Sequence, residues 1–130
     1  MVILFLVGRI AYGGFFFLSG LKHFTHLEPE TAYARSKGIP APKLAVIGSG
    51  ILIVLGGLGV LSGIYMMASL ALIILFLVPV TFTMHAFWAD ADPNMRTADE
   101  IEFGKNMALL GAALMLFAAQ TGYGPFFKAP

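Results

Sequence analysis

Residues 44–83, LAVIGSGILIVLGGLGVLSGIYMMASLALIILFLVPVTFT, contain no charged side chain. The stretch is about twice the roughly 20 residues that cross a hydrocarbon core of about 30 Å as a helix. One small polar break, Ser62-Gly63-Ile64, divides it. Within lipid, backbone N–H and C=O groups must find partners inside their own segment, so two such runs read as two helices in a tight hairpin. We place these spans at Leu44–Ser62 and Tyr65–Phe87.

Working outward, two further apolar runs of similar length flank the pair, Val2–Leu21 and Phe103–Thr121. The sequence therefore predicts an all-α integral membrane protein, a four-transmembrane-helix bundle in one domain over residues 1–130. Composition agrees. Hydrophobic residues make up 58% and charged residues 12%, against about 25% charged in a soluble domain, and mean hydropathy is +0.86. A net charge of +1 gives no reason to expect nucleic acid as a partner. The chain has no cysteine, which excludes disulfides, thiolate catalysis and cysteine-ligated iron–sulfur clusters in this chain. The first run has no basic n-region and no small-residue cleavage site, so it reads as a span and not as a signal peptide.

The connections differ in length and charge. In residues 22–43, Pro29 suits the first turn of a helix and Gly38 its C-terminal cap, with Pro40 and Pro42 beyond. This predicts a short interfacial helix over Pro29–Lys37 and an extended approach to the second span over Ile39–Pro42. The third connection, residues 88–102, is polar and acidic. Lys22, Arg35, Lys37, Lys43, Arg96 and Lys105 belong to these two connections, and only Arg9 and Lys128 to the opposite side. The positive-inside rule then puts connections 22–43 and 88–102 in the cytoplasm and both termini outside.

That topology gathers polar side chains at one face. Span one ends at Lys22, His23 and His26, span three at His85, Trp88 and Asp90, and span four begins at Lys105 and Asn106. Thr81, His85 and Trp88 are spaced i, i+4, i+7 and would share one side of a continuous helix. His23, His85, Trp88, Lys105 and Asn106 are thus candidate contacts for a lipid or quinone headgroup. The same residue types also anchor helix ends at an interface. A metal site among the histidines and Asp90 has no diagnostic spacing, and none is expected. Arg9 is a separate candidate, charged at a depth of roughly 10 Å, where it faces the bundle interior, snorkels outward, or meets a ligand oxygen. Its candidate protein partners are helix carbonyls, Tyr12, Gln120 and Tyr123.

Other features read as packing. Gly13-Gly14, Gly56-Gly57, Gly59-x-x-x-Gly63 and the stripe Gly104, Ala108, Gly111, Ala112 allow close helix approach. Phe15-Phe16-Phe17 faces all round its helix and is expected mostly in lipid, and Met66-Met67 begins a span as packing. Pro79 should kink span three and free a carbonyl near Leu75.

Several of these pieces together resemble the DoxX family. They are Arg9 with Gly13-Gly14 and Ser19-Gly20-x-Lys22, Tyr33-Ala34-x-Ser36-x-Gly38-Ile39-Pro40-x-Pro42, Gly56-Gly57, His85-x-Phe87-Trp88, and Phe103-x-Lys105-Asn106-x-Ala108-Leu109. The resemblance implies a small four-helix protein of a prokaryotic inner membrane, similar to the small membrane subunit of thiosulfate:quinone oxidoreductase. It implies a link to quinone-dependent redox complexes and carries over no assigned catalytic residue. Many members have an acidic residue three positions before the paired glycines and an arginine just after the hairpin, where this chain has Ile53 and Met67. That departure points to a divergent or accessory role. The expected function is a small subunit of a quinone-linked membrane redox complex, not catalytic alone, with quinone as the candidate ligand. The alternatives are a structural accessory subunit or a carrier of a small lipophilic molecule. The expected partners are the bilayer, other membrane subunits or further copies of the chain.

Overall fold

The structure is a computed structural model that describes residues 1–122. Its helices are α1 (Val2–Thr25), α2 (Leu27–Ser36), α3 (Pro42–Ser62), α4 (Met66–Thr83) and α5 (Pro93–Gln120), with a 3₁₀ turn over Phe87–Ala89. α1, α3, α5 and the α4 segment are each long and apolar enough to cross a membrane. The fold is thus the expected four-span bundle with a short extra helix between spans one and two.

α1 packs chiefly on α3, α3 also on α4, and α4 on α5, while α2 lies against α3. Glycines set the α1–α3 approach. A Cβ on Gly57 would sit 2.5 Å from the Phe17 nitrogen and 2.8 Å from the Gly13 carbonyl oxygen, so only hydrogen fits there. On the far side the Tyr12 hydroxyl donates to the Leu109 carbonyl at 2.8 Å and ties α1 to α5. The core between the helices is Phe16, Ile53, Val60, Leu70, Ile73, Leu77, Leu110 and Ala113.

Local chemistry explains the helix ends. Gly38, at φ 74°, closes α2 with Gly38 N–H donating to Arg35 and Ile39 N–H to Ala34, a Schellman pattern that favours glycine. Gly63, at φ 75°, closes α3, and the Arg9 guanidinium packs so near that a Cβ there would lie 2.4 Å from Nη1. The helix carbonyls at a C-terminus carry partial negative charge, so a cation suits this end.

Several boundaries differ from the sequence reading. α5 begins ten residues before the predicted Phe103, because the Asp92 side chain accepts from Asn94 N–H at 2.8 Å and Pro93 occupies the first helical turn. Ten of the fifteen residues of the third connection, 93–102, are therefore α-helical. α1 runs one turn past Leu21, and α4 stops at Thr83 instead of Phe87. At that end the Thr83 hydroxyl turns back to the Pro79 carbonyl at 2.7 Å, and His85 leaves the helix axis to meet Asp99. Thr81, His85 and Trp88 consequently do not share a helix face. Residues 39–41 are not uniformly extended, since Ala41 is left-handed at φ 47° and Pro42 already belongs to α3.

The packing readings also need correction. Gly104 and Gly111 meet nothing within 4 Å of an added Cβ, and neither does Gly14. The α5 stripe therefore faces away from the bundle, because α5 buries the face bearing Asp99, Asn106, Leu110 and Ala113 instead. Phe16 is not lipid-facing but fully buried.

Candidate functional site

A cavity of about 780 Å³ lies among the four spans and α2. Its floor is apolar, built by Phe16, Leu52, Ile53, Phe76 and Pro79. The Pro79 ring and Leu75, the residue whose carbonyl it deprives of a partner, both line the wall. Ile53, fully buried, keeps that wall apolar. The polar lining includes Lys22, His23, Tyr33, His85, Asp99, Lys105 and Asn106, with Glu30 and Glu102 among its further acids.

One half of the polar end is a tightly bonded cluster. Tyr33 and Lys37 stand four residues apart on α2 and so share a face. The Tyr33 hydroxyl donates to Asp99 Oδ1 at 2.7 Å, and at 3.4 Å it also reaches the Met84 carbonyl left free where α4 ends. Lys37 Nζ donates to Asp90 Oδ1 at 2.7 Å and to Asp99 Oδ2. His85 Nδ1 lies 3.0 Å from Asp99 Oδ1. Asp99 is buried at 3% exposure. A carboxylate there is tolerable only because a cation and two further donors surround it.

The electrostatics of α2 follow from that burial. Desolvation pushes the Tyr33 hydroxyl well above the usual phenol value of 10.0, and the adjacent Asp99 carboxylate raises it further. Burial alone would lower Lys37, but its hydrogen bonds to Asp90 and Asp99 outweigh that and leave it above 10.5. Both groups are raised on folding. The stability they contribute is therefore complete below about pH 10 and is lost as pH climbs through their folded values. Thermal unfolding in detergent should be flat from pH 7 to 9.5 and fall above it, and the fall should shrink in Lys37→Met with Tyr33→Phe. An unchanged alkaline limb in that double variant would remove the cluster as its cause.

The other half of the polar end is less satisfied. His23 Nδ1 is 3.2 Å from the Val46 carbonyl and 3.1 Å from Ser49 Oγ. Asn106 is 7% exposed, lines the cavity, and its amide has no hydrogen-bond partner among the described residues. Lys105 bonds to Glu102 and sits 5.8 Å from the centroid of the Phe15 ring.

Of the residues singled out from sequence, His23, His85, Lys105 and Asn106 line this one cavity, together with Lys22. Trp88 does not. It is half exposed and stacks edge-on with Phe87 and Phe103. His26 bonds to its neighbour Thr25 and also lies outside the lining. Arg9 sits at the opposite end, against the α3–α4 turn, and Tyr12 gives its hydroxyl elsewhere. Tyr123 and Lys128 lie outside the described residues.

Sequence reasoning missed Asp99 and the roles of Tyr33 and Lys37. A signal for Asp99 was present. The buried face of α5 is Asn106, Leu110 and Ala113, and running it back seven residues, two helical turns, lands on Asp99.

No curated protein and no solved structure matches the chain. The family model for DoxX matches residues 4–86. The match takes in α1 to α4 and His85 and stops short of α5, which supplies Asp99 and Asn106. It covers well over half of the 130 residues, in agreement with the four spans, and on that ground the chain belongs to the DoxX family.

Proposed function

We propose that residues 1–130 form one membrane domain serving a quinone-linked redox complex of a prokaryotic inner membrane, and that its part is to hold a quinone-type head in the cavity. One observation carries this reading. Asn106, a largely buried residue with no side-chain hydrogen bond among the described residues, lines the polar end of a cavity whose floor is apolar. Its amide offers both a donor and an acceptor to whatever occupies the cavity, so a ligand with a polar head and an apolar body fits the space. Quinones have that form, and family membership favours them over other lipids.

The lysine and arginine excess lies at the end where the cavity has its polar groups. We therefore assign that end to the cytoplasm and the termini to the outside. Redox chemistry would reside in a partner subunit. The outward stripe of Gly104, Ala108 and Gly111 supports a second reading, a purely structural subunit that packs on a neighbour through α5.

Trp88 is the one tryptophan and lies outside the cavity, so its fluorescence can report binding without blocking it. Titration of decylubiquinone into the protein in lipid nanodiscs should quench it saturably. Asn106→Leu should weaken binding about tenfold, the loss expected for one buried hydrogen bond. Linear, unsaturable quenching in both proteins would leave the structural reading standing alone.

A further inference from the structure

The cavity presents two imidazoles whose tautomers are fixed by what their Nδ1 atoms touch. His23 Nδ1 faces the Val46 carbonyl, which can only accept, so Nδ1 carries the proton. Ser49 Oγ, also near it, donates its own proton to that same carbonyl at 3.0 Å and is left as a further acceptor for Nδ1. His85 Nδ1 faces the Asp99 carboxylate and likewise donates. In each neutral ring Nε2 is then a lone-pair acceptor, and both rings line the cavity.

Among the other polar groups of the lining, Glu30 and Glu102 bring acceptors, Ser19 offers both a donor and an acceptor, and Thr83 gives its proton to the Pro79 carbonyl. Asn106 offers both a donor and an acceptor. Lys105 is held by Glu102, and Lys22 is exposed. Tyr33 directs its hydroxyl to Asp99. A ligand that brings its own O–H donors is matched by two acceptors, whereas one that brings only carbonyl oxygens meets two lone pairs.

We infer that the cavity prefers the reduced, dihydroxy form of a quinone-type head over the oxidised dicarbonyl form, with His23 and His85 as the residues that set the preference. The inference rests on the quinone reading above and adds to it which redox form is held. The site would thus retain a hydroquinone until a partner removes it. No proton or electron need move within this chain for the selection to operate.

The test compares decylubiquinol, kept reduced under anaerobic conditions, with decylubiquinone, both titrated against the protein in nanodiscs near neutral pH. The expected result is at least about tenfold tighter binding of the quinol, since each neutral hydrogen bond contributes several-fold. His23→Phe keeps an aromatic ring outside the Asp99 cluster and should lower the preference several-fold, by weakening decylubiquinol binding more than decylubiquinone binding. His85→Phe should do the same if it folds. Saturable binding of both forms with equal affinity, or tighter binding of the quinone, overturns the inference and leaves the quinone site intact. Failure of both to saturate overturns the site and the inference together.

Discussion

Asp99→Ala should destabilise the folded protein by about 3–5 kcal/mol, the range for removing one partner of a buried ion pair. The carboxylate accepts from Tyr33, Lys37 and His85 at once. Its loss strands Lys37, whose side chain is 9% exposed, with Asp90 as its one remaining anion. Tyr33 falls back on a longer bond to the Met84 carbonyl. Because α2 is held over the polar end of the cavity by this cluster, the same variant should also loosen α2. Equilibrium unfolding in mixed micelles measures the first effect, and amide exchange over residues 27–38 the second. Lys37→Met added to Asp99→Ala should recover part of the loss, since removing both charges leaves neither uncompensated. A change below about 1 kcal/mol for Asp99→Ala, the scale of an exposed pair, would contradict the burial that defines the cluster.

Gly57→Leu should cost at least about 3 kcal/mol, the upper part of the range for overpacking. The new side chain would start 2.5 Å from the Phe17 backbone nitrogen, and backbone cannot move aside as a side-chain tip can. α1 must separate from α3, and with it go the cavity walls that Phe16 and His23 supply. Gly14→Ala is the matched control. Its Cβ meets nothing within 4 Å, and alanine gains about 0.5–1 kcal/mol over glycine inside a helix. Unfolding curves for the two should move in opposite directions. If Gly57→Leu unfolds like the parent, the α1–α3 contact does not run through these glycines.

The four spans were legible because lipid imposes a length and a composition that few other structures satisfy, and the uncharged stretch 44–83 shows both. The site was legible in part. His23, His85, Lys105 and Asn106 lie at corresponding ends of their spans, so topology alone brings them to one level. What escaped is what the ends of helices decide. The helical pattern through His85 and Trp88 looked continuous, yet α4 ends at Thr83 and a bond to Asp99 redirects His85. Asp99 itself looked like one more acid in a solvated connection. The Asp92-Pro93 start that makes that connection helical, and turns Asp99 inward, is a cap of three residues among many polar ones. The small-residue stripe of α5 misled for a related reason. Spacing identifies a face that permits close approach, but it does not say whether the neighbour is in the same chain.

The central claim is that the cavity beside Asn106 holds a quinone-type molecule. Its most direct test is quantitative mass spectrometry of lipids and quinones that co-purify with the protein from its native membrane in mild detergent. The account predicts close to one quinone or hydroquinone per chain, and its loss from Asn106→Leu purified in the same way. Phospholipid alone, in equal amount with both proteins, would contradict it.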